Sequence, residues 1–212
     1  MLTLGTGRAR ALRRVAERTK DISFRSLHDG LTGLPNRALL LSRIEQALSR
    51  ARLADTDVAV MFLDLDGFKA INDMYGHASG DLFLQAVSSR VADVVRDTDT
   101  LGRLGGDEFV VVLEGASLEE GPEVVAGRVL DAITRPLDLS GAPEPVCPSA
   151  SIGIATGLRD TADELLRDAD LAMYQAKTAG KNRFVRFTPA RPVPVRCPAA
   201  RSGTTAEPAT TG

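Results

Sequence analysis

The stretch RLGGDEFVVVL (residues 103–113) places two adjacent acids, Asp107 and Glu108, between a glycine pair and an apolar run. Desolvating an unpaired carboxylate costs several kcal/mol, so acids at the end of a buried hairpin call for a cation. A second acidic strand end occurs in FLDLDGFK (62–69), where Asp64 and Asp66 are two residues apart. If strand geometry persists, these two point to one face. If the two strands are neighbours, Asp64 and Asp107 meet at one point. Hard oxygen donors beside an apolar sheet, with no His or Cys in the cluster, suit Mg²⁺ or Mn²⁺ rather than zinc. Mg²⁺ held by one or two carboxylates usually carries substrate phosphates too, which points to phosphoryl or nucleotidyl transfer. The competing explanation is an exposed hairpin tip bearing solvated acids.

Neither of the common phosphate loops is present: there is no G-x-x-x-x-G-K-[ST] and no G-x-G-x-x-G opening a helix after a strand. Gly105 and Gly106 offer another cradle, because a backbone without Cβ atoms can approach a phosphate closely. Lys69, Arg103, Lys177 and Lys181 supply the positive charge. Lys177 and Lys181 equally fit a helix C-terminus, where cations complement the dipole without any ligand, and Asp81 fits the first turn of its helix for the converse reason.

These residues need a scaffold, and the chain from about 29 to 187 has the pattern of one α+β domain. Residues 34–52 repeat apolar side chains at helical spacing, with Leu40, Ile44 and Leu48 four apart. VAVMFLDLD reads as a buried strand ending at a site, and GRLGGDEFVVVL as a hairpin turned at its glycines. Helices are expected over residues 79–96, 119–133 and 161–180, the last opened by Thr161 and Glu164 in capping-box spacing and closed at Gly180. PVCPSASIGIAT reads as a strand and NRFVRF as an edge strand.

The flanks differ in composition. Residues 8–20 carry six basic side chains against Glu17, and Leu12, Val15, Thr19 and Ile22 suggest a short helix within the first 28 residues, either a solvated basic helix or the end of a connector or dimerising helix. Residues 188–212 hold five of the eleven prolines and too little apolar surface to offset the entropy of ordering, so this tail is expected to be disordered. A net charge of −2 gives no sign of nucleic-acid binding or of adhesion to an acidic membrane. No apolar stretch reaches the length of a membrane span, the N-terminus lacks the apolar core of a signal peptide, and Cys147 and Cys197 have no metal-ligand spacing. A cytoplasmic protein is the expectation.

RLGGDEF, with FLDLDGFKAINDMYGHASGD, DGLTGLPNR, SASIGIA and ADLAMYQAKTAGKNRF, resembles the GGDEF family, the diguanylate cyclases, over residues 29 to about 187. The resemblance implies an antiparallel-centred sheet with flanking helices, similar to the polymerase palm and class III nucleotide cyclases. It implies condensation of two GTP molecules into cyclic di-GMP with release of two pyrophosphates, across a homodimer in which each chain supplies a half-site. On the matching positions, Asp64, the carbonyl of Leu65, and Asp107 would hold two Mg²⁺ (or Mn²⁺) ions, with Asp107 taking the proton of the attacking 3′-hydroxyl. Asn72 and Asp81 would bind the guanine edge, their donors and acceptors discriminating against adenine. Lys69, Lys177 and Lys181 would contact phosphates, Arg103 would steady the transition state, and Glu108 would support the metal or the turn. His77 is open between a substrate contact and a structural histidine. Arg96 and Asp99 form an R-x-x-D with five residues between its Asp and the glycine pair, matching the family's inhibitory product site; a surface ion pair is the plainer account. The implied alternative function is a non-catalytic module that binds GTP or cyclic di-GMP. Degenerate members lose the acids or glycines, whereas this chain keeps them.

Overall fold

The computed structural model describes residues 26–139 and 141–189. The expected N-terminal helix and all but the first two residues of the expected tail lie outside the described residues. Five strands form one sheet in the order β2-β3-β1-β4-β5. They are β1 (Ala59–Leu65), β2 (Thr100–Gly105), β3 (Glu108–Leu113), β4 (Ala150–Thr156) and β5 (Arg183–Arg186). The central β1 pairs antiparallel with β3 on one side and β4 on the other, while β5 joins β4 in parallel. The result is an α+β sheet, antiparallel at its centre and mixed at one edge.

Helices cover both faces: α1 (Arg37–Ala54), α2 (Phe68–Tyr75), α3 (His77–Ala92), α4 (Ala116–Glu120), α5 (Pro122–Ile133) and α6 (Ala162–Thr178). Alternation along β1 decides which helix packs where. Met61, Leu63 and Leu65 face Phe83, Val87 and Val91 of α3 and Val125, Val129 and Ile133 of α5. Val60 and Phe62 face Leu40, Ile44 and Leu48 of α1 and Leu165, Ala169 and Met173 of α6. Every residue of β1 is buried, as its continuous apolar run requires of a strand covered twice.

Close packing of α6 on β4 depends on Gly153. A Cβ there would overlap the Ala169 carbonyl oxygen and the Met173 nitrogen, both backbone atoms with no freedom to yield. The expected capping box on α6 is half realised: Thr161 Oγ accepts from Glu164 N–H at 3.3 Å, but Glu164 accepts from Asp160 N–H at 3.1 Å rather than from Thr161. The helix expected over 119–133 is interrupted by Gly121, with φ of 107°, which separates α4 from α5. The strand expected from Pro145 begins only at Ala150, after two prolines that cannot donate to a ladder.

Candidate active site

Asp64 is the sixth residue of β1 and lies directly opposite Glu108 of β3 and Ser151 of β4. Beyond it, Leu65 N–H donates to the Asp107 carbonyl at 3.3 Å, fastening the end of β1 to the glycine turn. Asp64 and Asp107 therefore stand at the same end of the sheet. They share a cleft of about 220 Å³ with Leu65, Asp66, Gly67, Phe68, Lys69, Lys177 and Lys181. Asp64 and Asp107 meet there, as the two acidic strand ends suggest; Lys69 of α2, Lys177 of α6 and Lys181 just beyond it line the same cleft.

The electrostatics are unbalanced. Asp64 is only 8% exposed and pairs with Lys177 Nζ at 2.7 Å. Burial pushes its carboxyl above the ordinary value; the Lys177 ammonium pulls it back, and the charge of Asp107 pushes it up again. Glu108 is raised as well, by burial and then by Asp64 and Asp107. Asp64, Asp107 and Glu108 thus crowd one another in a partly buried place, a condition that a divalent cation relieves. Among the described residues no three acid, histidine or cysteine side chains gather into a ready-made metal cage. Two carboxylates and a backbone carbonyl are the kind of partial donor set that Mg²⁺ completes with water and phosphate oxygens.

Gly105 and Gly106 turn the hairpin with φ of 149° and 54°, and apart from their chain neighbours no residue comes within 4 Å of where either Cβ would be, so that side of the turn is open. Arg103 holds the turn from beneath. Its guanidinium donates to the Gly106 carbonyl at 2.7 and 3.0 Å and to Asp29 Oδ1 at 2.8 Å. Burial alone would raise the Asp29 carboxyl, but hydrogen bonds from Thr32 and Arg103, with the guanidinium charge, outweigh it and hold it below the usual range. The guanidinium expected to steady a transition state is therefore engaged with the protein itself.

Asn72, His77 and Asp81 sit apart from the acidic cleft, on α2 and α3. The two helices are fastened by stacked rings of Phe68 and Phe83, 5.9 Å between centroids. His77 and Asp81 are exposed and Asn72 half-buried. Gly80 lies beneath Asn72: a Cβ on it would overlap Asn72 Oδ1 and come within 3.0 Å of Asn72 Cγ. Sequence reasoning missed Gly80, and its signal was a glycine inside a helix immediately before Asp81. It also missed α2, whose eight residues between Gly67 and Gly76 (φ 78° and 80°) are too few to display a period.

β1 ends at Leu65, yet Asp66 stays on the side of Asp64: both acids line the same cleft, and Ser151, directly opposite Asp64, reaches Asp66. Its carboxylate accepts from Ser149 Oγ, Ser151 Oγ and the backbone N–H of Asn182.

Arg96 and Asp99 lie on the turn between α3 and β2, and their side chains are not paired with each other. Asp99 accepts from the Arg96 backbone N–H (3.1 Å), Ser117 Oγ (2.7 Å) and Glu114 N–H (3.5 Å). The Arg96 guanidinium reaches Glu120 at 3.3 Å, and the other oxygen of Glu120 takes Arg128 at 3.1 Å. A separate cleft of about 300 Å³ opens beside this turn, lined by Arg43, Arg50, Asp97, Asp99 and Glu114 among others.

Residues 26–183 match the family model described as diguanylate cyclase, GGDEF domain. The chain belongs to the GGDEF family. It is 45% identical over 175 residues to MucR of Pseudomonas aeruginosa, a bifunctional diguanylate cyclase/cyclic di-GMP phosphodiesterase, covering 82% of this chain and 25% of the relative. The chain thus spans about a quarter of that protein's length. Among solved structures, the GGDEF domain of TpbB (also called YfiN) from Pseudomonas aeruginosa superposes with a TM-score of 0.72 at 39% identity, over 76% of this chain and 94% of that one. The coiled coil and GGDEF domain of DgcB from Caulobacter crescentus, in complex with cyclic di-GMP, gives 0.75 at 27% identity, over 85% of this chain and 96% of that one. The GGDEF sheet, its helices and its signature turn are thereby accounted for. No helix among the described residues is long and apolar enough to cross a membrane.

Proposed function

We propose that residues 29–187 form a diguanylate cyclase half-site that condenses GTP with a second GTP held by another copy of the chain. The observation that carries this is the meeting of Asp64 and Asp107 with Lys69, Lys177 and Lys181 on one cleft at the end of the sheet. Asp64, Asp107 and the Leu65 carbonyl would hold the divalent ions, Mg²⁺ or Mn²⁺. When bound, such ions lower the pKa of the attacking 3′-hydroxyl and screen the departing pyrophosphate.

The remaining work belongs to the chain. Lys69, Lys177 and Lys181 neutralise the triphosphate, and α2 opens onto the same cleft with no side chain capping it, which leaves the N–H groups of Phe68 and Lys69 for phosphate oxygens. Asp107 accepts the hydroxyl proton. Asn72 and Asp81 read the guanine edge, and Glu108 sustains the negative potential behind the metal acids. Arg103, already committed to Gly106 and Asp29, serves by fixing the turn that carries Asp107. Positioning and charge neutralisation are what phosphoryl-type transfer needs from a protein.

Each domain has one guanine site and the product contains two guanines, so the active species is a homodimer. Cyclic di-GMP would bind back at Arg96 and Asp99 and inhibit. The proposed setting is the cytoplasm, where GTP is available. The test is incubation of the purified chain with GTP and Mg²⁺ over a range of protein concentrations. A rate rising faster than linearly with protein, with cyclic di-GMP and pyrophosphate as products, is expected. Tight GTP or cyclic di-GMP binding without turnover would replace the proposal with a non-catalytic binding module.

A further inference from the structure

We propose that Asp66 is a positioning residue that latches the loop after α6 and so holds Lys181 on the phosphate side of the cleft; this rests on the GTP-binding function proposed above. The loop makes an unusual turn. Lys181 and Asn182 are consecutive non-glycine residues at φ of 61° and 45°, a conformation that costs each of them free energy unless neighbours enforce it. Two contacts do so. Lys181 N–H returns to the Ala176 carbonyl at 3.1 Å, ending α6, and Asn182 N–H donates to Asp66 Oδ2 at 3.1 Å.

Asp66 is in turn fixed from β4 and the segment before it. Ser151 Oγ donates to Oδ1 at 2.8 Å, Ser149 Oγ to Oδ2 at 3.0 Å, and the Asp66 N–H donates to the Ser149 carbonyl at 2.9 Å. Three donors from two parts of the chain occupy most of the lone-pair directions of one carboxylate. An acid so committed is placed to hold structure rather than to coordinate a metal, although it borders the same cleft. From this anchor the chain runs directly into β5, so releasing Asp66 frees Lys181 while leaving the β4–β5 ladder available to carry the edge.

The test combines two readouts on the full chain. Amide hydrogen exchange of the ligand-free protein should show Lys181 and Asn182 protected in the wild type and released in Asp66→Ala, whatever the activity. GTP turnover with Mg²⁺ should show the KM of Asp66→Ala raised about tenfold, the loss of one charge-assisted phosphate contact, with kcat changed much less. Asp66→Ala combined with Lys181→Ala should be no worse than Lys181→Ala alone, since both remove the same contact. Asp66→Asn keeps an oxygen for the Asn182 N–H, and serine hydroxyls can rotate to accept, so this variant should retain most of the wild-type KM. Loss of kcat in Asp66→Asn with a steeper Mg²⁺ requirement would make Asp66 a metal ligand and overturn the latch. Unchanged exchange at Asn182 in Asp66→Ala would overturn it too. If the wild type neither binds nor turns over GTP while exchange behaves as expected, the latch stands and the GTP function is what fails.

Discussion

Gly80→Ala separates recognition from stability. The methyl group would overlap Asn72 Oδ1 and press on its Cγ, so the Asn72 side chain must leave its present rotamer. The displaced atoms are the end of a half-buried side chain, so moving them costs about 1 kcal/mol. Replacing a glycine inside α3 returns about 0.5 to 1 kcal/mol of helix propensity. The two effects roughly cancel, and the melting temperature should stay within about 3 °C of wild type. Recognition has no such compensation. An Asn pushed off the guanine edge forfeits a hydrogen bond and leaves a base atom unpaired, about 1.5 to 3 kcal/mol, or roughly ten- to a hundredfold in KM for GTP. The assay is steady-state turnover of GTP beside thermal unfolding of the same preparation. An unchanged KM with an unchanged melting temperature would refute the assignment of Asn72 to guanine. A collapse of stability would mean that Gly80 serves packing.

Other predictions follow from the same contacts. Gly153→Ala, whose methyl would meet the backbone of α6, should cost about 3 kcal/mol in chemical denaturation, in contrast to Gly80→Ala. The Asp29 carboxyl lies below its ordinary range, so its contribution is complete above the unfolded pKa of about 3.9 and fades as pH falls through the lower folded value. Asp29→Asn should therefore lose about 1 kcal/mol near neutrality, and urea melts of the two proteins should converge in strong acid. Glu120→Gln removes the carboxylate bridging Arg96 and Arg128, so half-inhibition by cyclic di-GMP should need roughly threefold less product. An unchanged inhibition curve would count against the R-x-x-D site.

Much of the fold was legible because its signals are local. The apolar run of β1, the glycine turn and the four-residue repeat of α1 each specify an element within a dozen residues. The pairing of β1 with β4 was not legible, because nothing near residue 60 encodes a partner near residue 155. The same division holds at the site. Asp64 and Asp107 announce themselves as acids at strand ends. The partner of Arg103 is 74 residues away, and those of Asp66 are 83 to 116 residues away. Arg103 and Asp66 read as free charges in one dimension; in three, each is hydrogen-bonded to distant parts of the chain. Family resemblance supplied roles for Asn72 and Asp81 but not for Gly80, whose importance is the space it leaves.

Asp107 is the residue on which the proposed catalysis depends most directly. Purified wild-type chain given GTP and Mg²⁺ should yield cyclic di-GMP, and Asp107→Ala, with unchanged circular dichroism, should yield none above background. Equal product from both proteins would contradict the assignment of catalysis to the acids at the end of the sheet.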